Sequence, residues 1–183
     1  MNYTNISESK RLIFEVSIEL FASRPFESVT MNDLAKAVGK TKSSFYNHFA
    51  SKQEILDQIY DFFCEHFNDN RNPPEDVEPV LQHGTILDII HCVFYVFGDT
   101  DPLMLPILQI IHQRKFFDER ARQIVQNLLI SDGVAYSKMI FDRAVEIGRL
   151  APFDTQLLAV LCNNSRLCIY DKWILEPTAE HYL

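Results

Sequence analysis

Three observations on the sequence predict an all-α fold, in which an N-terminal three-helix bundle is joined by a fourth helix to a larger helical domain. Apolar residues recur at helical spacing through most of the chain. Three patterns typical of helix starts fall within residues 30–52, with a single glycine among them. The composition, with 47% hydrophobic residues and only five glycines among 183 residues, is typical of a globular, largely helical protein. We therefore expect two domains, residues 1–51 and residues 52–183.

The first helix of the bundle is predicted over residues 9–23. It ends before Pro25, because a proline disfavours helical geometry in the residue that precedes it. Its apolar side chains recur at helical spacing, at Leu12, Ile13, Val16, Leu20 and Phe21. The core of the three-helix bundle is expected to contain Phe14, Leu34, Val38, Phe45 and Phe49.

The second helix is predicted over residues 31–38. Thr30 is placed to accept a hydrogen bond from the first turn, and Asp33 can reach back toward the cap, which is a shortened capping box. Gly39 ends this helix, because glycine tolerates the left-handed backbone that a sharp turn needs.

The third helix is predicted over residues 42–49. Phe45 and Phe49 are four residues apart and face inward, whereas the remaining side chains are small, hydroxylated or basic. A helix this short is not stable alone, so neighbouring helices must hold it. Two helices joined by a tight glycine-containing turn form a helix-turn-helix, a motif that inserts its second helix into the major groove of DNA. Ser51 and Glu54 form a capping box for the fourth helix.

The run FASRPFESVTMNDLAKAVGKTKSSFYNHFASKQEIL resembles the N-terminal DNA-binding domain of the tetracycline-repressor (TetR) family of one-component transcriptional regulators. The resemblance covers residues 9–60, about a third of the chain. It implies a homodimer that binds a palindromic operator and usually represses transcription, with a second helical domain for ligand binding and dimerisation. Pro25, Lys40 and Ser43 depart from the family pattern. Ser43 stands where glycine is frequent, so no operator sequence follows from the resemblance.

The resemblance implies a phosphate contact from Thr30, at the start of the second helix, and base and backbone contacts from residues 41–44. Asn47 is a candidate adenine reader by its residue type. The full set of predicted contacts with double-stranded DNA is Thr30, Thr41, Lys42, Ser43, Ser44, Tyr46, Asn47, His48 and Lys52. Each of these residues also has a structural interpretation as a helix cap, a solvated lysine or an exposed aromatic. Their combination at this spacing favours DNA contact.

The charge distribution agrees with a localised DNA-binding surface. Residues 1–52 contain seven lysines and arginines and five acidic residues, whereas residues 53–183 contain ten and twenty. The whole chain has a formal net charge of −8, which repels phosphate and argues against a general nucleic-acid coat protein. Specific binding through a locally basic surface is the expected mode.

Prolines and polar breaks divide the larger domain. The fourth helix carries two apolar stripes and therefore packs on two sides. The fourth helix is predicted over residues 52–69 and is followed by a proline-rich linker, residues 71–79, and by a nearly all-apolar buried helix, residues 85–97. A short helix then begins at Asp101 and is expected to kink at Pro106. The last two segments are a long one, residues 116–149, which is interrupted at residues 131–133, and a final helix, residues 154–173.

Helices that are apolar nearly all round need more partners than a monomer of this size provides. A helix-turn-helix dimer also needs two copies about 34 Å apart to read both halves of a palindrome. By resemblance, the last two long helices pair with their symmetry mates in a four-helix bundle. The residues predicted at that homodimer seam are Ala135, Met139, Leu157, Leu161, Cys168 and Ile169.

Aromatic and methionine side chains around the proline-containing helix are suited to lining a pocket for a small, largely apolar effector. Filling of the protein core is the structural alternative for the same residues. Polar side chains of His112, Gln123 or Asn127 would orient the effector. The candidate lining residues are Phe63, Phe67, Ile90, Phe94, Met104, Leu108, His112, Gln123 and Asn127.

Nothing in the sequence predicts catalysis or a cofactor, because it contains no Gly-rich phosphate loop, no GxSxG elbow and no HExxH motif. The histidines lack metal-ligand spacing, so no metal site is expected. A helical enzyme and an adaptor that acts through a protein partner remain the alternatives to a regulator.

The compartment follows from two further features of the sequence. No apolar run is long enough to span a bilayer, and the N-terminus lacks a secretory segment, so a cytoplasmic protein without membrane contact is expected. The four cysteines form no CxxC pair and each lies in an apolar context. They are therefore expected to be buried, reduced thiols.

Overall fold

The computed structural model describes residues 7–69, 74–94 and 101–176, and within these ranges the regular secondary structure is helical. The prediction of an all-α fold is confirmed. The helices are α1 (Glu8–Ser23), α2 (Met31–Ala37), α3 (Lys42–Tyr46), α4 (Lys52–Asp69), α5 (Pro74–His83), α6 (Ile86–Phe94), α7 (Met104–Arg114), α8 (Glu119–Gln123), α9 (Asp132–Glu146) and α10 (Thr155–Leu175). A 3-10 turn, Phe26–Ser28, lies between α1 and α2, and a π-helical segment, Ile124–Ser131, joins α8 to α9.

The chain packs as two compact units, which differ from the domains predicted from the sequence. The first contains residues up to His66 together with 101–122, and the second contains Phe67 onward to 100 together with the residues from Gln123. The predicted boundary after Ser51 separates the helix-turn-helix from α4. Most of α4 packs in the same unit as the helix-turn-helix, so the division into residues 1–51 and 52–183 stays a prediction.

The first unit is built on α1, which packs against both α2 and α7. Phe14, Ile18 and Phe45 are fully buried there. Leu12 was expected in the apolar stripe of α1 but is 44% exposed, because the buried face of this helix runs through Ile13, Ser17 and Phe21. Ser17 lies within that buried face, and its hydroxyl donates to the carbonyl of Ile13 at 2.6 Å.

The second unit has its own apolar core, made by α5, α6, α9 and α10. α9 and α10 make the most extensive helix pair. The buried members of this core are Val77, Leu81, Ile89, Cys92, Val93, Ile140, Phe141, Ala144 and Ala159.

The interruption predicted at residues 131–133 takes the form of a change in helix type. The backbone stays helical from α8 to α9 but passes through eight residues of π-helix. The Ser131 hydroxyl donates to the carbonyl of Gln126, five residues earlier, at 2.8 Å. The wider turn of a π-helix changes the rotational phase of the residues that follow, which decides the face that α9 presents.

The prediction of a linker over residues 71–79 is wrong for its described part, which is helical from Pro74. Pro74 occupies the first helical position, where the missing N–H has no intrahelical partner to lose. Glu75 and Asp76 follow in the first turn, where acidic side chains interact favourably with the helix dipole. Pro79 lies inside the helix, where it removes a backbone hydrogen bond. The burial of Val77 and other apolar residues of α5 offsets this loss.

Two further expectations need correction. The helix predicted as central and buried exposes one of its faces, since Ile86 and Leu87 are 60% and 59% exposed. The part of this prediction that covers residues 95–97 lies outside the described residues. Pro106 is the third residue of α7, where its nitrogen is not needed for an intrahelical bond, so it fits the first turn without breaking the helix.

The cysteines differ from one another in exposure. Cys92 is buried, Cys64 and Cys162 are half-buried, and Cys168 is exposed on α10, which corrects the expectation that all four are buried. Burial raises the pKa of the Cys64, Cys92 and Cys162 thiols. In the described part of the chain, no helix is long and apolar enough to cross a bilayer, and no cluster of three potential metal ligands occurs.

A pH-dependent ion pair joins α5 to α9. The guanidinium of Arg143 donates to Glu78 at 2.6 and 3.0 Å. This interaction, assisted by Gln82, lowers the pKa of Glu78 from 4.5 to about 2. The associated stability is therefore present above pH 4.5 and lost as the pH falls toward 2.

We expect Glu78→Gln to reduce the free energy of unfolding at pH 7, and the difference from the unmodified protein to shrink as the pH falls below about 4.5. Urea unfolding followed by circular dichroism at a series of pH values measures this difference. A difference that stays constant down to pH 3 would contradict the role assigned to the pair.

Candidate nucleic-acid interface

The entry into α2 is fixed by a reciprocal cap, as predicted. The Thr30 backbone N–H donates to the Asp33 carboxylate at 2.9 Å, and the Asp33 N–H donates to the Thr30 hydroxyl oxygen at 3.2 Å. The Thr30 hydroxyl also donates to Asp33 at 2.7 Å, and these bonds lower the pKa of the Asp33 carboxyl. Thr30 itself is exposed, so the cap orients its side chain at the surface.

Gly39 makes the turn between α2 and α3. Its φ angle is +66°, in the left-handed region that side chains with a Cβ rarely adopt. The Lys40 N–H donates to the Ala35 carbonyl at 2.9 Å, and the Gly39 N–H donates to the Lys36 carbonyl at 3.1 Å. This pair of bonds is a Schellman motif, which ends α2 and reverses the chain into α3.

The third helix begins as predicted but is shorter. Thr41 accepts from the Ser44 N–H at 3.2 Å, and the α-helix ends at Tyr46 rather than at Phe49. The next residues form a tighter turn, in which the His48 N–H donates to the Phe45 carbonyl at 2.9 Å. Phe49 is nevertheless buried beside Phe45, with ring centroids 6.5 Å apart, so the two anchors hold the segment as predicted.

The outward side of α3 carries the side chains predicted to contact DNA. Thr41, Lys42, Ser43, Tyr46 and Asn47 are exposed, whereas Ser44 and His48 are half-buried. The Lys42 ammonium lies 5.9 Å from the centre of the Tyr46 ring, one helical turn away. From Met31 to Lys52 the chain has four lysines and one acidic residue, so this surface is basic although the whole chain is acidic. Such a surface can donate hydrogen bonds to phosphates and to base edges.

Lys52 is placed differently from the other predicted contacts. Its ammonium donates to the carbonyls of Phe26 at 2.7 Å, Val29 at 2.9 Å and Glu27 at 3.4 Å. It also lies 4.3 Å from the centre of the Phe26 ring. An ammonium has three donors, and in this arrangement all three point at the turn before α2.

The cap of α4 differs from the predicted box by one residue. The Ser51 hydroxyl oxygen accepts from the Glu54 N–H at 3.1 Å, as expected. The Glu54 carboxylate accepts from the N–H of Ala50, not of Ser51, at 2.7 Å. The effect is the same, because both interactions satisfy backbone donors at the start of the helix.

The predicted effector-lining residues are spread over both compact units. In the first unit, Phe63, Met104 and Leu108 are buried and His112 is half-buried. In the second unit, Phe67 is buried and Phe94 is half-buried, while the remaining three are exposed, namely Ile90, Gln123 and Asn127. The assignment of these residues to an effector site stays a prediction.

All six residues predicted at the dimer seam lie on α9 or α10 of the second unit, and all are exposed. Leu157 and Leu161 are 56% and 53% exposed, which is high for leucine. On α9, an open groove is lined by Ala135, Lys138, Met139, Asp142, Arg143 and Glu146. We call the set Ala135, Met139, Leu157, Leu161, Cys168 and Ile169 the α9–α10 face.

Sequence reasoning missed three residues that organise the entry to the helix-turn-helix. The Phe26 ring is 7% exposed and lies beneath both Lys52 and the Arg114 guanidinium, which is 4.5 Å from its centre. Arg114 also forms an ion pair with Glu27. The pKa of the Glu27 carboxyl is lowered, first by a hydrogen bond from the backbone N–H of Glu27 itself and then by the neighbouring Arg114. Glu27 and Arg114 are 87 residues apart, so no local pattern connects them.

Comparisons with known proteins agree with this geometry. Residues 13–59 match the family described as bacterial regulatory proteins, tetR family. The HTH-type transcriptional regulator YerO of Bacillus subtilis is 33% identical over 73 residues, which are 39% of this chain and 25% of YerO. The nucleoid occlusion factor SlmA of Aliivibrio fischeri is 24% identical over 132 residues, 72% of this chain and 65% of SlmA. Each match thus spans less than two thirds of the relative.

The fold is also shared with solved structures. The TetR-family transcriptional regulator PfmR of Thermus thermophilus superposes with a TM-score of 0.58 at 20% sequence identity. The match covers 93% of this chain and 87% of PfmR. An N-terminal helix-turn-helix followed by further helices is therefore the shared architecture.

Proposed function

We propose that this chain, which belongs to the tetracycline-repressor family of transcriptional regulators, binds a palindromic operator as a homodimer and represses transcription. The observation that carries the proposal is the presentation of α3. The side chains of Phe45 and Phe49 are at most 1% exposed and hold the segment in place, whereas Lys42, Ser43 and Tyr46 are exposed. A short polar helix anchored on two aromatics is suited to the major groove.

The individual contacts follow from the chemistry of each side chain. The Lys42 ammonium neutralises a phosphate, and the Tyr46 hydroxyl donates to a phosphate oxygen. The Thr30 hydroxyl donates to Asp33 in the free protein, and it exchanges that bond for a phosphate oxygen on binding DNA. Ser43 and Asn47 are exposed and carry the groups that read base edges. Thr41 and Ser44 take part in the cap of α3, so they position the helix as well as face the backbone of the DNA.

Dimerisation is supported by the α9–α10 face. Exposed leucines at Leu157 and Leu161 lie on the side of α10 that is opposite its buried residues Ala159 and Asn163. Exposed apolar residues on two neighbouring helices favour burial against a second copy, and a two-fold interface limits the assembly to a dimer. Two copies supply the two recognition helices that a palindrome requires.

Response to a small apolar effector is the remaining part of the proposal. An effector releases the operator only if it binds the free form of the dimer more tightly than the bound form. A change from nearly all bound to nearly all released requires about 5 kcal/mol of this preference. Within the first unit, the buried side chains of Phe63 and Met104 are suited to an apolar ligand, and His112 would orient it.

Selection of bound sequences from random duplex DNA tests the operator, and variants of α3 test the contacts. We expect Lys42→Ala to weaken binding to the selected duplex about tenfold and to reduce the slope of log affinity against log salt by about one. Tyr46→Ala should weaken binding without changing the slope, because tyrosine is uncharged. Lys115→Ala removes a lysine from the α7–α8 turn of the same unit and serves as the matched control.

Dimerisation and helicity should be the same in all three variants, as measured by analytical ultracentrifugation and circular dichroism. The contact assignments are wrong if Lys42→Ala and Tyr46→Ala both stay within twofold of the unmodified protein at physiological salt. Recovery of no preferred sequence would refute operator binding itself.

An adaptor that acts through a protein partner is the second candidate, because one relative is named a nucleoid occlusion factor. The two candidates differ in what the α3 variants do. Loss of the cellular phenotype in Lys42→Ala supports the regulator, whereas a phenotype that persists after DNA binding is abolished supports the adaptor.

A further inference from the structure

The turn between α1 and α2 is held by side chains that are distant in sequence. Its own hydrogen bonds are short-range, with the Ser28 N–H donating to the Pro25 carbonyl at 2.9 Å and the Val29 N–H to the Phe26 carbonyl at 3.2 Å. Lys52, which begins α4, then donates to the three carbonyls of Phe26, Glu27 and Val29. These bonds determine the direction in which the backbone enters Thr30 and α2.

The last turn of α7 reaches the same segment. Arg114 lies over the Phe26 ring and pairs with both Glu27 and Asp118, the latter at 3.4 Å. The neighbouring Gln113 donates to the Ala22 carbonyl, near the end of α1, at 3.0 Å. The side chains of Arg114 and Asp118 are 12% and 11% exposed, so this ion pair is shielded from solvent, whereas the Glu27 partner is 72% exposed.

We propose that Arg114 and Lys52 are positioning residues for DNA recognition, which clamp the turn of residues 25–29 and thereby set the placement of Thr30 and the helix-turn-helix. This inference rests on the proposed function. Lys52 and Arg114 hold one turn from two helices, and the Phe26 ring is the surface on which both cations lie. Neither cation contacts the operator in this role, because Lys52 directs its donors to three carbonyls and the guanidinium of Arg114, 12% exposed, is directed to Glu27 and Asp118.

The clamp acts through the cap of α2. Val29 is fully buried and precedes Thr30, whose hydroxyl and N–H bond Asp33. A shift of the turn therefore moves Thr30 with the first turn of α2. Because the Gly39 turn links α2 directly to α3, with the Gly39 and Lys40 N–H groups bonded to carbonyls of α2, the displacement is passed to the recognition helix.

The test compares Arg114→Ala, Arg114→Lys and Glu27→Gln in the full-length protein, with the duplex recovered by selection on the unmodified protein. We expect Arg114→Ala to weaken binding about tenfold and Glu27→Gln about fivefold, both with an unchanged salt slope. Arg114→Lys keeps a cation beside Glu27 and should recover part of the loss. The double variant of Arg114→Ala and Glu27→Gln should bind no more weakly than Arg114→Ala alone, because both remove one interaction.

Glu27→Gln is informative because the Glu27 side chain is 72% exposed, so the substitution leaves the fold intact. Glu119→Gln is its matched control, since Glu119 forms an exposed ion pair with Arg122 inside α8. Hydrogen exchange gives a readout that is independent of DNA. The amides of Ser28, Val29 and Asp33 should exchange several times faster in Arg114→Ala and in Glu27→Gln, but not in Glu119→Gln.

Each outcome separates the clamp from the proposed function. If Lys42→Ala weakens binding but the Arg114 and Glu27 variants bind and exchange like the unmodified protein, the clamp is refuted and operator binding stands. If Arg114→Ala reduces the salt slope by about one, Arg114 is a phosphate contact and not a positioning residue. Faster exchange in a protein that selects no DNA sequence would refute the role of the clamp in recognition, together with the proposed function.

Discussion

Leu161→Glu is expected to convert the proposed homodimer to monomers and to lower affinity for the proposed operator by about a hundredfold or more. Leu161 is 53% exposed in the single chain, so a glutamate there is solvated and the fold is retained. In a two-fold dimer the same substitution occurs in both copies, and it places two unpaired carboxylates in an apolar interface, at a cost of several kcal/mol. Loss of the second recognition helix then removes the gain from bivalent binding, which is about 10²- to 10⁴-fold.

The measurement is sedimentation of the variant together with titration of a duplex that carries either one half-site or two. Leu157→Glu should behave similarly, because Leu157 lies one turn earlier on the same side of α10. Gln156→Glu adds the same charge at an exposed polar position in the same turn and serves as the control. Dimers that persist in both leucine variants at micromolar concentration would place the interface elsewhere.

The helix-turn-helix could be predicted from the sequence because its signals are local. The caps at Thr30 and Thr41 each join a side chain to an N–H three residues away, and Gly39 supplies a conformation that few other residues adopt. The alternation of buried Phe45 and Phe49 with polar neighbours is equally local. Such features do not depend on the remainder of the fold.

The contacts that hold this motif in place could not be predicted in the same way. Lys52 reaches a carbonyl 26 residues earlier, and Arg114 reaches a carboxylate 87 residues earlier, so no spacing in the sequence indicates either bond. Lysine at the start of α4 has the residue type of a phosphate contact, but its three donors are directed into the protein. The difference lies in tertiary packing.

The remaining errors concern proline and helix faces. Prolines at Pro74 and Pro106 indicate breaks when they are read alone, yet both stand within the first turn of a helix, where an N–H is not required. In α6 most side chains are apolar, but Asp88 and His91 mark one face as polar, and that face is the exposed one. Packing against α5, α9 and α10 buries Ile89 and Val93 and exposes Ile86.

Gly133→Ala should destabilise the second unit by about 1–3 kcal/mol, because α10 approaches α9 too closely for a methyl group. A Cβ atom at position 133 would overlap the guanidinium of Arg166 and the carboxamide of Asn163, which are 3% and 1% exposed. Those two side chains bond each other, and Arg166 also donates to the Val93 carbonyl at 3.3 Å. Displacing them therefore disturbs a buried polar network as well as the packing.

The sign of this effect makes Gly133→Ala a discriminating test. Helix propensity alone favours alanine over glycine inside α9 by about 1 kcal/mol, so a net loss shows that the close approach outweighs it. Gly148→Ala is the control, because its φ angle of +74° penalises alanine through the backbone without any steric overlap. Chemical denaturation gives both values, and an unchanged or higher stability for Gly133→Ala would contradict the tight α9–α10 contact. Since both helices carry the α9–α10 face, the same variant should weaken dimerisation even under conditions where it remains folded.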